Sequence, residues 1–257
     1  MCTLVLAWRV FADAPVAVAA NRDEATDRPA EPPSRRGGGA DPAFVAPRDA
    51  EAGGTWTGYN EHGLYVGLTN RWVGEGADLT GGRSRGLLVE DALRERSAEA
   101  AARLVEGAVA RHEYEGFAAV LADDRAAFLI EWDGRLRVRG LDPGVHVIVN
   151  VGAALGGGGA ARDRFAVPPG RRAAGERQAD GARRLRAALA PEPGETSAAW
   201  LDRAADALAD HEYGVCVHGD GFGTRSSSLI ALGDEPVYRF ADGPPCRTSY
   251  ARVDEQV

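Results

Sequence analysis

The 257-residue chain contains no lysine: all 30 of its basic residues are arginine, set against 38 aspartates and glutamates, for a formal net charge of −8. That balance provides no concentrated basic surface for phosphate neutralisation, which argues against a nucleic-acid binder. Long apolar runs are missing too. No stretch approaches the roughly 18 to 20 residues a membrane helix needs, and the first residues lack the basic region and cleavage site of a secretory signal. The expectation is a protein without a membrane span, located in the cytoplasm. Cysteine is scarce. Cys2, Cys216 and Cys246 lie far apart, with no C-x-x-C pair and no metal-ligand spacing, so they read as free thiols and imply neither a metal nor a cofactor.

What is present suffices for one sizeable core. Hydrophobic residues make up 44% of the chain, and a single domain over 1–257 is expected. Short apolar runs at Thr3–Trp8 and Val16–Ala20, joined by a turn at Asp13-Ala14-Pro15, predict an opening β-hairpin. The Pro- and Gly-rich stretch Arg28–Gly39 reads as an ordered loop or a flap, because proline removes a backbone donor. Further strands are predicted at Phe44–Ala46, Thr55–Tyr59 and Gly63–Asn70. From Ser84 to about Ala110 the period changes to that of amphipathic helices, with Ser97 as a cap. Strands return at Phe117–Ala122, Ala127–Trp132 and Val145–Asn150. Two more helices fall between Arg171 and Asp210, the second starting at Thr196, and strands at Val215–His218, Ser227–Leu232 and Val237–Phe240 follow. Strands, helices, strands, helices, strands suggests an α+β fold, a four-layer α/β/β/α sandwich of two antiparallel sheets.

The chemistry begins at Cys2. Initiator methionine is normally removed before a small second residue, which would leave Cys2 with a thiol and a free α-amine, a nucleophile carrying its own base. Taken alone, a cysteine here is more simply a small buried residue opening a strand. Asn21-Arg22-Asp23-Glu24 follows the second strand of the hairpin and so comes near Cys2. Arg22 could favour the thiolate, and Asp23 could accept from the α-amine. The plainer alternative is a polar turn capped by Asn and Asp.

Met1-Cys2, Asn21-Arg22-Asp23-Glu24, Arg28-Pro29, Arg48-Asp49, Gly53-Gly54-Thr55-Trp56, Leu68-Thr69-Asn70, Ser84-Arg85-Gly86 and Gly223-Thr224-Arg225-Ser226-Ser227 occur in this order. Together they resemble the NRDE family, which includes the eukaryotic transport and Golgi organisation proteins. The resemblance spans nearly the whole chain and implies the N-terminal-nucleophile (Ntn) hydrolase fold. Members of that family are linked to Golgi organisation, to lipid and acyl-CoA metabolism, and to haem trafficking. A more distant similarity is to the cholylglycine hydrolase and penicillin V acylase branch, which begins with Met-Cys and cleaves non-peptide amides. This similarity implies roles. Asn70 would present its amide to the oxyanion, Asn150 would support substrate and oxyanion, and Arg225 would favour the thiolate; Asn21, Trp56 and Thr69 are the implied substrate contacts. The hydrolase branch carries Arg-Asn-x-Asp where this chain has Asn21 to Glu24. Either Asn21 and Asp23 align in phase with it, or Arg22 replaces its arginine from another register, and a one-residue slip would turn Arg22 to the opposite face of the sheet.

Other motifs carry less. Gly82-Arg83-Ser84-Arg85-Gly86 matches G-x-S-x-G, but the preceding Glu75–Gly81 is no apolar strand, so a serine nucleophile elbow is not expected. Gly156–Gly159 lacks the Gly-Lys-Ser/Thr of a phosphate cradle. His112 and His211 lack a second histidine four residues on, and His62, His146 and His218 are scattered, more often satisfied polar residues than ligands. Three readings survive: a cysteine amidohydrolase acting through a thioester, a haem or acyl-CoA carrier without turnover, and a protein of inert Cys2 acting through protein contacts. The first is favoured because thiol, charged pair, Asn donor and Arg occur together.

Overall fold

The computed structural model describes residues 2–74, 79–157 and 162–257. In chain order these form β1 (Thr3–Trp8), β2 (Val16–Ala25), β3 (Ala30–Gly38), β4 (Asp41–Asp49), β5 (Thr57–Asn60), β6 (Tyr65–Asn70), α1 (Arg85–Ala92), α2 (Ala98–Arg111), β7 (Phe117–Ala122), β8 (Ala127–Trp132), β9 (Leu136–Gly140), β10 (Gly144–Val149), β11 (Gly152–Leu155), β12 (Arg162–Phe165), α3 (Arg172–Ala188), α4 (Ser197–Ala209), β13 (His218–Gly219), β14 (Phe222–Leu232), β15 (Val237–Ala241) and β16 (Ala251–Arg252). The chain divides into two compact units, one of Met1–Asp27 with Asp142–Val253 and one of Arg28–Leu141 with Asp254–Val257. Each holds one antiparallel sheet and two helices, the α+β composition expected from the strand and helix pattern.

The first unit's sheet runs β12-β11-β10-β1-β2-β14-β15-β16, with β13 paired to β14. Its centre is the opening hairpin, apolar through Leu4, Val5, Leu6 and Ala7 and fully buried. Helix α3 packs on β10 and β11, and α4 on β2 and β14. Trp200 on α4 is wholly buried and donates its indole N–H to Leu189 O at 2.9 Å, which lets the largest side chain of the helix enter the core without an unpaired polar atom. Helix α4 begins where the sequence places it, with Thr196 accepting from Ala199 N.

The second unit's sheet is a meander, β3-β4-β5-β6-β7-β8-β9. Alternate residues Leu64 and Val66, Phe117, Ala119 and Leu121, and Ile130 form one cluster with Leu88 and Leu93 near α1 and Ala101 and Val105 of α2. The period of two is the strand's own. The ordered motifs of this unit hold its turns together. Arg28 pairs with Asp49 at 2.8 Å, and Thr55 N donates to Gly86 O at 3.0 Å. Gly54 has φ +68°, and a Cβ there would lie 2.3 Å from the Gly86 backbone, so both conformation and contact require glycine. Ser84, the centre of the G-x-S-x-G match, caps α1 by accepting from Gly86 N, and Ser97 caps α2.

Four expectations are corrected. Arg28–Gly39 is largely strand β3: it sits at the sheet edge and is bulged between Glu31 and Ser34, where Pro32 and Pro33 fall, and edges and bulges are where a strand tolerates missing donors. Strand β2 continues through Asn21-Arg22-Asp23-Glu24, which is therefore no turn; β14 pairs along this whole polar segment and β1 joins it at Asn21. Val215–Val217 is not strand, and pairing begins only at His218. Strands β9, β11, β12 and β16 are additional to those expected; β11, β12 and β16 carry no clear alternation, whereas β9 does alternate through Leu136-Arg137-Val138-Arg139 but is only five residues long. The latter part of Gly156–Gly159, and most of the polar run before Gly82, lie outside the described residues.

Candidate active site

In the first unit, Thr3 pairs with Asn21 on one side and with Val149 on the other. Continuing that register places Cys2 between Arg22 and Asn150, at the polar end of an otherwise apolar sheet. The backbone nitrogen of Cys2 donates to Asn150 Oδ1 at 3.2 Å, and the thiol lies 3.7 Å from Asp23 O, which accepts from it. Asn150, buried in the turn after β10, also accepts from Gln178 Nε2 of α3 at 3.2 Å. Loss of Met1 would turn that same Cys2 nitrogen into an α-amine already oriented by Asn150.

Asp23 is buried, and Thr224 Oγ1 of β14 donates to its Oδ1 at 2.6 Å. Thr224 in turn accepts from Val217 N at 2.9 Å. Loss of hydration pushes the Asp23 carboxyl up to about 6, and the hydrogen bond from Thr224 opposes that rise. Burial likewise raises the Cys2 thiol above its ordinary value; the Asp23 charge adds to the rise, while Arg22 opposes it. Arg22 is itself buried and lies 3.9 Å from Glu24. Its positive charge opposes the rise of the Cys2 thiol, and the continued strand register sets Arg22 beside Cys2.

Asn21 points elsewhere. Its Nδ2 donates to Leu208 O at 3.1 Å and Val215 O at 2.9 Å, tying β2 to the end of α4 and the segment beyond. Its Oδ1 is buried without a partner among the described residues. Arg225 occupies the bulge between Thr224 and Ser226, half-buried, with its Nε likewise unpartnered. Thus Cys2, Arg22, Asp23 and Asn150 come together, with Asn21 next to Arg22 on β2 and Arg225 on the neighbouring β14, between the partners of Asp23 and Arg22. Asn70, Thr69 and Trp56 belong to the second unit: Asn70 ends β6 opposite Phe117, Thr69 pairs with Ala118 and has a buried Oγ1 without a partner among the described residues, and Trp56 precedes β5.

Two contributors escaped the sequence reading. Thr224 stands inside the quoted Gly223–Ser227 motif but received no role, since its partner is some 200 positions away. Gln178 gives no signal at all, being one polar residue in an Arg- and Ala-rich helix. Among the histidines, His146 is fully buried and satisfied by Asp142 O and Gly156 N, as expected of a core histidine.

These sheets and helices match solved structures of the Ntn-hydrolase class. Penicillin V acylase from Agrobacterium tumefaciens is 13% identical with a TM-score of 0.58, over 99% of this chain and 87% of that one. The Caenorhabditis elegans N-acylethanolamine-hydrolyzing acid amidase orthologue is 14% identical with a TM-score of 0.57, over 91% and 94%. The C2A mutant of conjugated bile acid hydrolase from Clostridium perfringens is 11% identical with a TM-score of 0.57, over 100% and 94%. At such identity the likeness shows the fold, and the fold is that of the Ntn hydrolases. By sequence, the model of the Transport and Golgi organisation 2 (TANGO2) family matches residues 1–166, and the chain belongs to that family. No curated protein matches it.

Proposed function

We propose that the protein is an N-terminal cysteine amidohydrolase acting on a non-peptide amide or acyl group of a small molecule, with Cys2 as nucleophile after removal of Met1. The observation that carries this reading is the placement of the Cys2 nitrogen on Asn150 and of its sulfur on Asp23 O, beside the buried Arg22. The α-amine takes the thiol proton, and Sγ attacks the carbonyl carbon. The tetrahedral adduct expels the leaving amine with the proton returned by the α-ammonium, forming a thioester. Water then attacks the thioester, gives its proton to the α-amine, and restores the thiol. Asn150 accepts from the amine and keeps its lone pair directed at sulfur, and Asp23 balances the ammonium charge. Arg22 opposes the burial that holds the thiol protonated without overcoming it, and an α-ammonium on Cys2 itself would oppose it further.

The raised thiol favours a second reading, in which the same fold holds an acyl-CoA or haem without turnover. A panel of amides and thioesters separates the two. Release of product by the processed protein, with loss in Cys2→Ala, supports the hydrolase. Saturable binding of acyl-CoA or haem, equal in both proteins and without product, supports the carrier. Because the chain has no lysine, the N-terminus is its sole aliphatic amine, and an amine-reactive label reports on that nitrogen alone.

A further inference from the structure

The sequence reading treats the histidines and the two distal cysteines as isolated, but the fold gathers four of them. The ligand atoms of His211, Cys216, His218 and Cys246 all lie within 4.8 Å of one another. Cys216 Sγ is 3.6 Å from His218 Nε2, and that nitrogen is 3.2 Å from Cys246 Sγ. The His211 and His218 rings stand edge to face with centroids 5.2 Å apart. The geometry points to a tetrahedral zinc site of two thiolates and two imidazoles, within the first unit and apart from Cys2.

The distances fit a metal. With Zn–S of about 2.3 Å and Zn–N of about 2.0–2.1 Å, tetrahedral angles put N and S ligands about 3.5 Å apart and two sulfurs about 3.8 Å apart. The two N···S separations straddle that value, and rotation of the exposed His211 and His218 side chains supplies the remaining contraction. Two soft thiolates with two imidazoles select zinc over the hard cations. Four protein ligands leave no open position, so the metal is structural.

Local structure explains the convergence. Helix α4 ends in a single 3-10 turn, His211–Tyr213, capped by Asp210, and Gly214 at φ +68° reverses the chain so that Cys216 returns beside His211. Cys216 sits at a bend just before β13, two residues from His218, which brings its Sγ within 3.6 Å of His218 Nε2. Cys246 comes from the turn between β15 and β16, where Arg247 N and Thr248 N both donate to Pro244 O. Binding expels the two thiol protons and leaves a neutral centre. It would also fix the segment whose Val215 O accepts from Asn21 and whose Val217 N donates to Thr224, the partner of Asp23. All four ligands lie beyond residues 1–166, the part matched by the family model.

The test is elemental analysis of the full chain purified under reducing conditions without chelator, followed by stripping and titration with Co²⁺. The expected result is one zinc per chain, and visible bands of tetrahedral cobalt with thiolate charge transfer on titration. Cys2→Ala keeps both. Cys216→Ser lowers the charge-transfer intensity to roughly half, and Cys216→Ser combined with Cys246→Ser abolishes it. His211→Ala, an exposed change that leaves the core intact, weakens Co²⁺ binding by at least about tenfold. The inference is overturned if the reduced protein yields neither zinc nor cobalt bands, if peptide mapping shows a Cys216–Cys246 disulfide in its place, or if His211→Ala binds Co²⁺ as tightly as the parent.

Discussion

Asn60 and Asn21 are both buried asparagines on strands, one in each unit, and they are used differently. Asn60 is fully engaged: Nδ2 donates to Leu93 O and Glu95 O, while Oδ1 accepts from His62 N and Leu64 N. Asn21 spends its Nδ2 on two carbonyls and keeps a buried Oδ1 without a partner among the described residues. The buried charges differ in the same way. In the second unit Arg71 closes on Glu131 at 2.7 Å and on Asp133 at 3.4 Å, and Arg137 lies 3.9 Å from Glu131, so the buried charges answer one another. In the first unit Asp23 is held up to about 6 by burial, and beside it a thiol is held protonated. The polar groups of Asn60 and Arg71 are satisfied within the fold, whereas Asp23 and Cys2 are held at a cost in ionisation energy, the feature on which the proposed chemistry draws.

Four substitutions sharpen or break this contrast. Cys2→Ala should leave the fold intact and lower turnover by at least about 10³-fold, read as product release from the amide and thioester panel. Undiminished turnover would place the chemistry elsewhere. Arg71→Leu removes the nearest partner of buried Glu131, leaving Arg137 at 3.9 Å, and should cost about 3 kcal/mol in denaturant unfolding, with the alkylation rate of Cys2 unchanged. A fall in that rate at constant fold would show that the pair is not merely structural.

Asp23→Asn acts in the opposite sense on stability. Its folded-state value of about 6 stands above the ordinary 3.8, so the native state binds the proton more tightly than the unfolded chain. Below pH 3.8 both states are protonated and the group contributes nothing. Between pH 3.8 and about 6 stability falls as pH rises, and above 6 the full cost of about 3 kcal/mol is present. The amide variant should remove this slope, raise the melting temperature near neutrality and, by removing a charge that raises the thiol, speed Cys2 alkylation. A variant less stable than the parent at pH 7 would contradict the assignment. Smallest of all, Ser97→Ala removes the α2 cap and should cost about 1 kcal/mol without touching Cys2.

Much of this was written in the apolar strands. Phe117–Ala122 and Ala127–Trp132 appear with the bounds their hydrophobic runs imply, because neither contains a residue that competes with the ladder. Polar segments hide their strands: β2 runs on through Asn21 to Glu24 because Thr3, Thr224 and Ser226 flank it, and no local pattern announces such partners. Cys2, Asp23 and Asn150 were visible as polar residues at the ends of apolar runs. Gln178 and Thr224 reach the site only through tertiary packing. The gathering of His211, Cys216, His218 and Cys246 was invisible for a related reason, since Gly214 and a distant turn, rather than a ligand spacing, bring them together.

The central claim is an activated N-terminal cysteine, and mass spectrometry of the intact protein and its peptides after brief, sub-stoichiometric alkylation near neutral pH tests it most directly. A chelator in the reaction keeps Cys216 and Cys246 available as internal references. The account predicts that Met1 is gone and that Cys2 is labelled well ahead of both. Retention of Met1, or a Cys2 no faster than its two references, would contradict it.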